Sequence, residues 1–202
     1  MAHTIYIVDD DASVRRGLVT LLKISGYAVE AFDCGEALLD RNPTGQGVIL
    51  LDMRMPGLSG LQVQRALIER CSDLPIIFLT AFADVPRVVS AMQNGAEEFF
   101  IKPVSGEQLV CRIEQVIQKH EIDLERQLAR KLFDAKLSDL TDREVEVLKL
   151  SIAGLSCKDM GAQLGVSHRT IELHRSHIFA KLDTASLSDL LRTISRLGIT
   201  LT

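Results

Sequence analysis

Four short apolar runs, each ending in a residue able to do chemistry, constrain this chain more than any other feature. Thr4 to Val8 runs into Asp9-Asp10-Asp11, and Val48-Ile49-Leu50-Leu51 ends in Asp52 with Met53-Arg54-Met55-Pro56-Gly57 behind it. Ile76 to Leu79 ends in Thr80, and Phe99 to Ile101 ends in Lys102-Pro103. Unbroken apolar runs of this length, bounded by turn residues, read as strands buried on both faces, as in a parallel sheet covered by helices. In an open sheet of that kind ligands bind beyond the carboxyl ends of the strands, where the strand order reverses. A lone Asp at a strand end is ordinarily a turn former or helix cap. That reading does not account for acids, a hydroxyl and a lysine gathered at equivalent places.

Amphipathic helices fill the spaces between the runs. Ala12 to Ser25 carries Val14, Leu18, Leu21 and Leu22 on one face and stops at Gly26; Tyr27 to Phe32 is a further strand. Glu36 to Asp40 is a short helix ended by Asn42-Pro43, and Ser59 caps a helix carrying Leu61, Val63, Leu67 and Ile68. Pro75 opens the Thr80 strand, and Pro86 opens a helix with Val88, Val89 and Met92 that Asn94-Gly95 closes. Ser105, with Gln108 three residues on, has the pattern of a capping box. Strands alternating with helices predict an α/β doubly wound, five-stranded parallel sheet with right-handed crossovers.

The first and third strands then lie side by side, and Asp9, Asp10 and Asp52 converge. Two carboxylates ~4 Å apart repel by about 4 kcal/mol at an effective dielectric near 20. The cluster is tolerable if some members stay protonated or if a divalent cation sits among them, and hard oxygen ligands suit Mg²⁺. Such an ion neutralises charge on both Asp52 and an incoming phosphoryl group. Lys102 and the Thr80 hydroxyl are placed to take further phosphoryl oxygens.

Bulk properties narrow the setting. A chain of 202 residues with 47% hydrophobic content makes one large or two small domains with ample core. A net charge of −4 excludes a generally cationic protein, so nucleic-acid binding has to be local. Cys34, Cys71, Cys111 and Cys157 have neither metal-ligand nor disulfide-framework spacing. No segment approaches the ~18–20 apolar residues of a membrane span. The expectation is a soluble, cytoplasmic protein.

Past residue 107 the pattern changes. No Gly or Pro occurs between Glu107 and Arg143, while Leu109, Ile113, Val116, Ile117, Leu124, Leu128 and Leu132 recur near helical spacing. Charges fill the other positions, including Glu121 and Glu125, and Arg126 and Arg130, at i, i+4. The last helix of the first domain is expected to continue as a stiff linker over 121–137; a short helix followed by a mobile tether is the alternative. The apolar stripe would allow such a linker to pack on a twin.

From Ser138 four short helices are expected. Thr141 with Glu144 forms a capping box, Ser156 opens the second helix, Ser167 caps the third, and a fourth runs from Ser186 to Leu197. A turn of only Gly165-Val166 between the second and third is a helix-turn-helix signature. The third helix shows Ile171, His174, Ile178 and Leu182 on one stripe, with Arg169, Glu172, Arg175, Ser176 and Lys181 elsewhere. Residues 138–202 hold eight basic and eight acidic side chains, far from a strongly basic footprint. The third helix departs from that balance, with Arg169, Arg175 and Lys181 against Glu172, so binding would rest on local charge and two copies.

Two resemblances give these patterns names. Residues 1–120 resemble the receiver domain of two-component response regulators, on Asp9-Asp10, Asp52 followed by Met55-Pro56-Gly57 and Gly60, Thr80-Ala81, and Lys102-Pro103. The resemblance implies strand order 2-1-3-4-5 and phosphorylation of Asp52 by a sensor histidine kinase. It further implies Mg²⁺ on Asp10, Asp52 and the main-chain carbonyl of Arg54, with Asp9 reaching it through water. Thr80, Ala81 and Lys102 would stabilise the phosphoryl group, Thr80 and Phe99 would form the switch pair, and the Lys102–Pro103 bond would be cis. Asp11 has its own reading as the cap of the first helix.

Residues 138–202 resemble the LuxR-type DNA-binding domain, on Leu140 to Leu148, Val166 to Arg175, and Lys181-Leu182. Cys157 stands where that family usually has Asn, and Met160-Gly161 replaces a commoner Ile-Ala pair. By this resemblance Glu172, Leu173 and Ser176 face base edges, while Arg169, Thr170, Arg175 and Lys181 hold phosphates. The whole chain is then similar to NarL/FixJ-type transcription factors. Phosphorylation would promote homodimerisation on the Pro86–Asn94 helix and fifth strand, promoter binding, contact with RNA polymerase and activation. No catalysis is expected beyond Mg²⁺-dependent autophosphorylation and dephosphorylation. Two rivals fit parts of the pattern. One is a metal-dependent phosphatase, which usually wants an acid where Arg54 stands; the other is a constitutive DNA binder with a receiver used only for dimerisation.

Overall fold

The computed structural model describes residues 3–81 and 85–199; the outermost residues of the expected domains, 1–2 and 200–202, lie outside them. The chain divides into two compact units, 1–121 and 122–202.

The first unit runs β1 (Thr4–Val8), α1 (Ala12–Ile24), β2 (Ala28–Phe32), α2 (Gly35–Arg41), β3 (Gly47–Asp52), α3 (Gly60–Glu69), β4 (Ile76–Thr80), α4 (Val85–Gln93), β5 (Glu98–Ile101) and α5 (Gly106–Ser138). The five strands form one parallel sheet in the order β2-β1-β3-β4-β5, the doubly wound architecture expected. Each central strand sends alternate side chains into two cores. Tyr6, Val8, Ile49, Leu51 and Phe78 pack with Leu38, Val63, Leu67 and Ala91 of α2, α3 and α4 on one face. Ile5, Ile7, Val48, Leu50, Ile77 and Leu79 pack with Leu18, Leu22, Leu109, Ile113 and Val116 of α1 and α5 on the other. That is why the strands read as unbroken apolar runs.

The caps follow local chemistry. Asp11 caps α1, its Oδ1 accepting from the N–H groups of Ser13 (2.7 Å) and Val14 (3.3 Å). Those bonds, Ser13 first, hold its carboxyl below the usual range. At the start of α3, the Ser59 N–H donates to Gln62 Oε1 at 2.9 Å. Gly60 is required by space: a Cβ there would lie 2.3 Å from the Asp52 carbonyl oxygen. α3 therefore presses its first turn against the end of the strand that carries Asp52.

In the second unit, α6 (Asp142–Ile152), α7 (Cys157–Leu164), α8 (His168–Leu182) and α9 (Leu187–Leu197) surround a core of Val147, Leu148, Met160, Ile171, Ile178, Leu182 and Leu190. Thr141, Ser156, Ser167 and Ser186 cap the four helices, each accepting from the N–H three residues on. Gly165 ends α7 at φ +69°. Gly161 approaches the same turn so closely that a Cβ would sit 2.8 Å from the Val166 carbonyl oxygen. Gly161 in place of the commoner Ala thus lets this α7 sit tight on its own turn.

α5 also contributes to the second core. α5 is helical without a break through 121–137, but Ala129, Phe133 and Leu137 are the residues packed on the second core, while Leu128 and Leu132 stay exposed. Two apolar stripes run side by side on this helix, and periodicity alone does not say which one tertiary packing covers.

Candidate functional site

β1 and β3 are adjacent in register, Val8 beside Leu51, so the residues that follow each strand emerge together. One carboxylate oxygen from each of Asp9, Asp10 and Asp52 lies within 4.8 Å of the others. Asp9 and Asp52 are buried and Asp10 is exposed. Lys102, delivered by β5, places its Nζ 2.5 Å from Asp9 Oδ2 and 3.3 Å from Asp52 Oδ2. The Lys102–Pro103 peptide bond is cis. Asp9 is held further: its Oδ1 accepts from the Asp11 N–H at 3.0 Å, and its carbonyl accepts from Arg15 at 2.6 Å.

Asp52 is held more loosely, with the Arg54 N–H 3.5 Å from its Oδ1. Burial pushes its carboxyl above the usual range; the Lys102 charge pulls it back, and Asp9 adds to the rise. Three carboxylates against one ammonium leave a surplus of negative charge made wholly of hard oxygen donors. This donor set fits a divalent cation such as Mg²⁺.

Thr80, at the end of β4, is buried, and Ala81 after it is exposed. Phe99 pairs in register with Phe78 and is half-buried against the α2–α3–α4 core. The structure thus gathers Asp9, Asp10, Asp52, Lys102 and Thr80 at one sheet edge, while Phe99 lies within β5, three positions before Lys102. Val85, Val89 and Met92 of α4 and Ile101 of β5 are exposed.

Two features of the first unit were not found by sequence reasoning. A groove of about 760 Å³ opens beside Asp52, lined by Val14, Gly17, Leu18, Leu21, Pro103 and Val104 among others. Gly17 leaves open space at the groove wall, where a Cβ would meet nothing within 4 Å. The second is Glu36 of α2, whose Oε1 accepts from the Leu58 N–H at 3.0 Å and pins the loop after Asp52.

In the second unit Ser167, Arg169, Thr170, Glu172 and Leu173 line one shallow concavity on α8. Leu173 is 56% exposed, and Ser176 is exposed one turn on. His168 Nδ1 stands 3.7 Å from Glu172 Oε2. Arg175 and Lys181, expected among the phosphate holders, have partners within the domain. Arg175 donates to Cys157 Sγ at 3.1 Å and lies 5.6 Å over the Phe179 ring. Lys181 donates to Glu144 Oε2 at 2.6 Å and to the Asp139 carbonyl at 3.1 Å.

Glu144 is buried and serves the Thr141 cap as well, accepting from its N–H at 2.9 Å. Burial alone would raise this carboxyl, but the Lys181 and Thr141 bonds and the Lys181 charge hold it down at about 2. Sequence reasoning missed the pair because its members lie 37 positions apart. Among the described residues no helix is long and apolar enough to cross a membrane.

Comparison with known proteins matches both units. Residues 5–114 match the response regulator receiver domain family, and residues 138–194 match the luxR family of bacterial regulatory proteins. Transcriptional regulatory protein FixJ of Bradyrhizobium diazoefficiens is 36% identical over 196 residues, covering 96% of either chain. Transcriptional regulatory protein TdiR of Thauera aromatica is also 36% identical, over 96% of this chain and 86% of its own. Among solved structures, response regulator StyR aligns over 97% of this chain and 100% of its own, with TM-score 0.81 and 38% identity. A receiver with its acidic edge and a capped helix-turn-helix on one polypeptide, matched end to end by such relatives, identify the chain as a member of the NarL/FixJ-type response regulators, transcription factors that join a receiver domain to a luxR-type DNA-binding domain.

Proposed function

We propose that Asp52 is the phosphoacceptor of this regulator and that a sensor histidine kinase is the donor. The observation that carries the reading is the convergence of the Asp9 and Asp10 carboxylates and Lys102 around a partly desolvated Asp52. A carboxylate oxygen of Asp52 attacks the phosphorus of a phosphohistidine; the P–O bond forms as the P–N bond breaks, and the histidine leaves neutral after protonation. Asp10, Asp52 and the Arg54 main-chain carbonyl would hold Mg²⁺, with Asp9 behind them. The ion supplies charge neutralisation between the phosphoryl oxygens and the carboxylates. The apolar groove beside Asp52 suits the helix of a kinase that presents its histidine there.

Once phosphorylated, Asp52 carries oxygens that Lys102, the Thr80 hydroxyl and the Ala81 N–H can satisfy. Thr80 moves in, Phe99 follows, and the exposed α4–β5 apolar face becomes the dimer surface. Two α8 helices then meet two half-sites. Glu172, Leu173 and Ser176 face the base edges, with Glu172 accepting from a cytosine amino group and Leu173 touching a thymine methyl, while Arg169 and Thr170 hold phosphates. Arg175 and Lys181 reach phosphate only by leaving their present partners. In this reading the receiver spans 1–120, the linker 121–137 and the DNA reader 138–202, the setting is cytoplasmic, and the outcome is activation through RNA polymerase.

Incubation with acetyl phosphate and Mg²⁺ tests the core of the reading. Intact mass should rise by one phosphoryl group, about 80 Da, in the parent and not in Asp52→Asn. An adduct retained by Asp52→Asn removes the assignment. Tight promoter binding by unphosphorylated protein, unchanged by the donor, would instead favour a constitutive reader.

A further inference from the structure

We propose that α5 carries a self-association surface of its own, on which a second copy of the chain docks antiparallel along Leu124, Leu128 and Leu132. One side of the helix is already used, since Ala129, Phe133 and Leu137 belong to the C-terminal core. Leu128 and Leu132, on another side, are 60% and 58% exposed, and Leu124 is half-buried. Spaced four apart, the three leucines fall within about 80° of arc and make one narrow seam. A leucine left in water forgoes the free energy of its burial, and a helix face that stays solvated has no need of leucines in a row.

The pattern points to the chain itself as the occupant. The seam is symmetric about Leu128. In an antiparallel pair Leu124 meets Leu132 of the second copy, Leu128 meets its own equivalent, and the contact closes as a twofold. Charge runs the same way. Glu121, Asp123 and Glu125 make the first part of this stretch acidic, while Arg126, Arg130, Lys131 and Lys136 against Asp134 make the rest basic. In that register Glu125 of each helix opposes Lys131 of the other, Arg126 and Arg130 lie about 160° round the helix from Leu128 and face away, and the two helix dipoles are opposed. Parallel pairing stacks like charge on like. The contact over residues 121–135 is about 21 Å long, at the small end for protein interfaces, so the dimer is weak and reversible. It needs no phosphoryl group and is separate from the α4–β5 face.

Sedimentation of the full chain without phosphodonor, over a broad concentration series, should show a reversible monomer–dimer equilibrium. Leu128→Glu puts two carboxylates on the twofold axis and should weaken it by at least about tenfold. Orientation is read by disulfide trapping after Cys34, Cys71, Cys111 and Cys157 are replaced with Ser and the parent sedimentation is confirmed. Leu128→Cys alone should cross-link. A mixture of Leu124→Cys and Leu132→Cys should also cross-link. Leu124→Cys alone should not, because the antiparallel pair holds its two copies about 12 Å apart, beyond the ~7 Å Cα limit for a disulfide. Cross-linking by Leu124→Cys alone would establish a parallel pair and overturn the proposal. A chain that stays monomeric, with Leu128→Cys unlinked, would overturn it too and assign the leucines to a different partner.

Discussion

Two buried carboxylates, one in each unit, are treated in opposite ways. Glu144 in the DNA reader has everything a buried carboxylate needs: a lysine, a backbone N–H and a hydroxyl, and its carboxyl is held down at about 2. Asp52 in the receiver is buried beside another acid, shares one lysine with it, and its carboxyl is pushed up. The first arrangement is a structural bond between α6 and α8. The second leaves an anion under-satisfied at the mouth of a groove, the state expected of a group waiting for a ligand. Burial is common to both; the number of donors supplied decides the difference.

Several measurements would break or sharpen that contrast. The largest expected effect is from Asp52→Asn, which should abolish phosphodonor-dependent DNA binding, read by footprinting with and without acetyl phosphate. Next, Asp9→Asn or Asp10→Asn should weaken Mg²⁺ binding at least about tenfold, measured by calorimetry, because each removes one of the charges that hold a hard cation.

Stability changes should then carry opposite signs. Lys181→Ala leaves Glu144 buried without its cation and should cost the reader about 1–2 kcal/mol, a discounted figure because Lys181 is 37% exposed. Asp52→Asn, in the absence of metal, should stabilise the receiver by up to about 1 kcal/mol by removing a poorly solvated charge. Denaturant unfolding of the full chain followed by hydrogen exchange separates the two units. Equal signs would remove the contrast.

The pH dependence follows the same logic. Glu144 has a folded value below its ordinary 4.5, so its stabilisation is complete above pH 4.5 and is lost as the pH falls towards about 2. Asp52 has a folded value above its ordinary 3.8, so the receiver loses stability as the pH rises through that raised value. Acid titration of exchange protection should therefore weaken the reader while relieving the receiver at Asp52. The smallest effect is Thr141→Ala, costing about 1 kcal/mol through the α6 cap.

Much of this was legible in the residues because it is local. The apolar runs ending at Asp9, Asp52, Thr80 and Lys102 announce a parallel sheet and its active edge. Thr141, Ser156, Ser167 and Ser186 announce four helix starts, since a cap is a contact over three positions. The resemblances then extended Asp52 and α8 to their family roles. Other features escaped for physical reasons. Lys181 reads as a surface cation until α6 brings Glu144 beneath it, and Arg175 reads as a phosphate holder until Cys157 and Phe179 turn it inward. On α5 the spacing marks Leu124, Leu128 and Leu132, yet Phe133 is the residue the second core buries.

The sequence by itself therefore determined element order, helix caps and the chemical types gathered at the sheet edge, because those depend on neighbours within a turn or on the two-residue period of a strand. Tertiary structure alone decided which charges are satisfied and which stripe of α5 stays in water. Those outcomes depend on partners far apart in the chain whose approach is set by packing, and no periodicity records it.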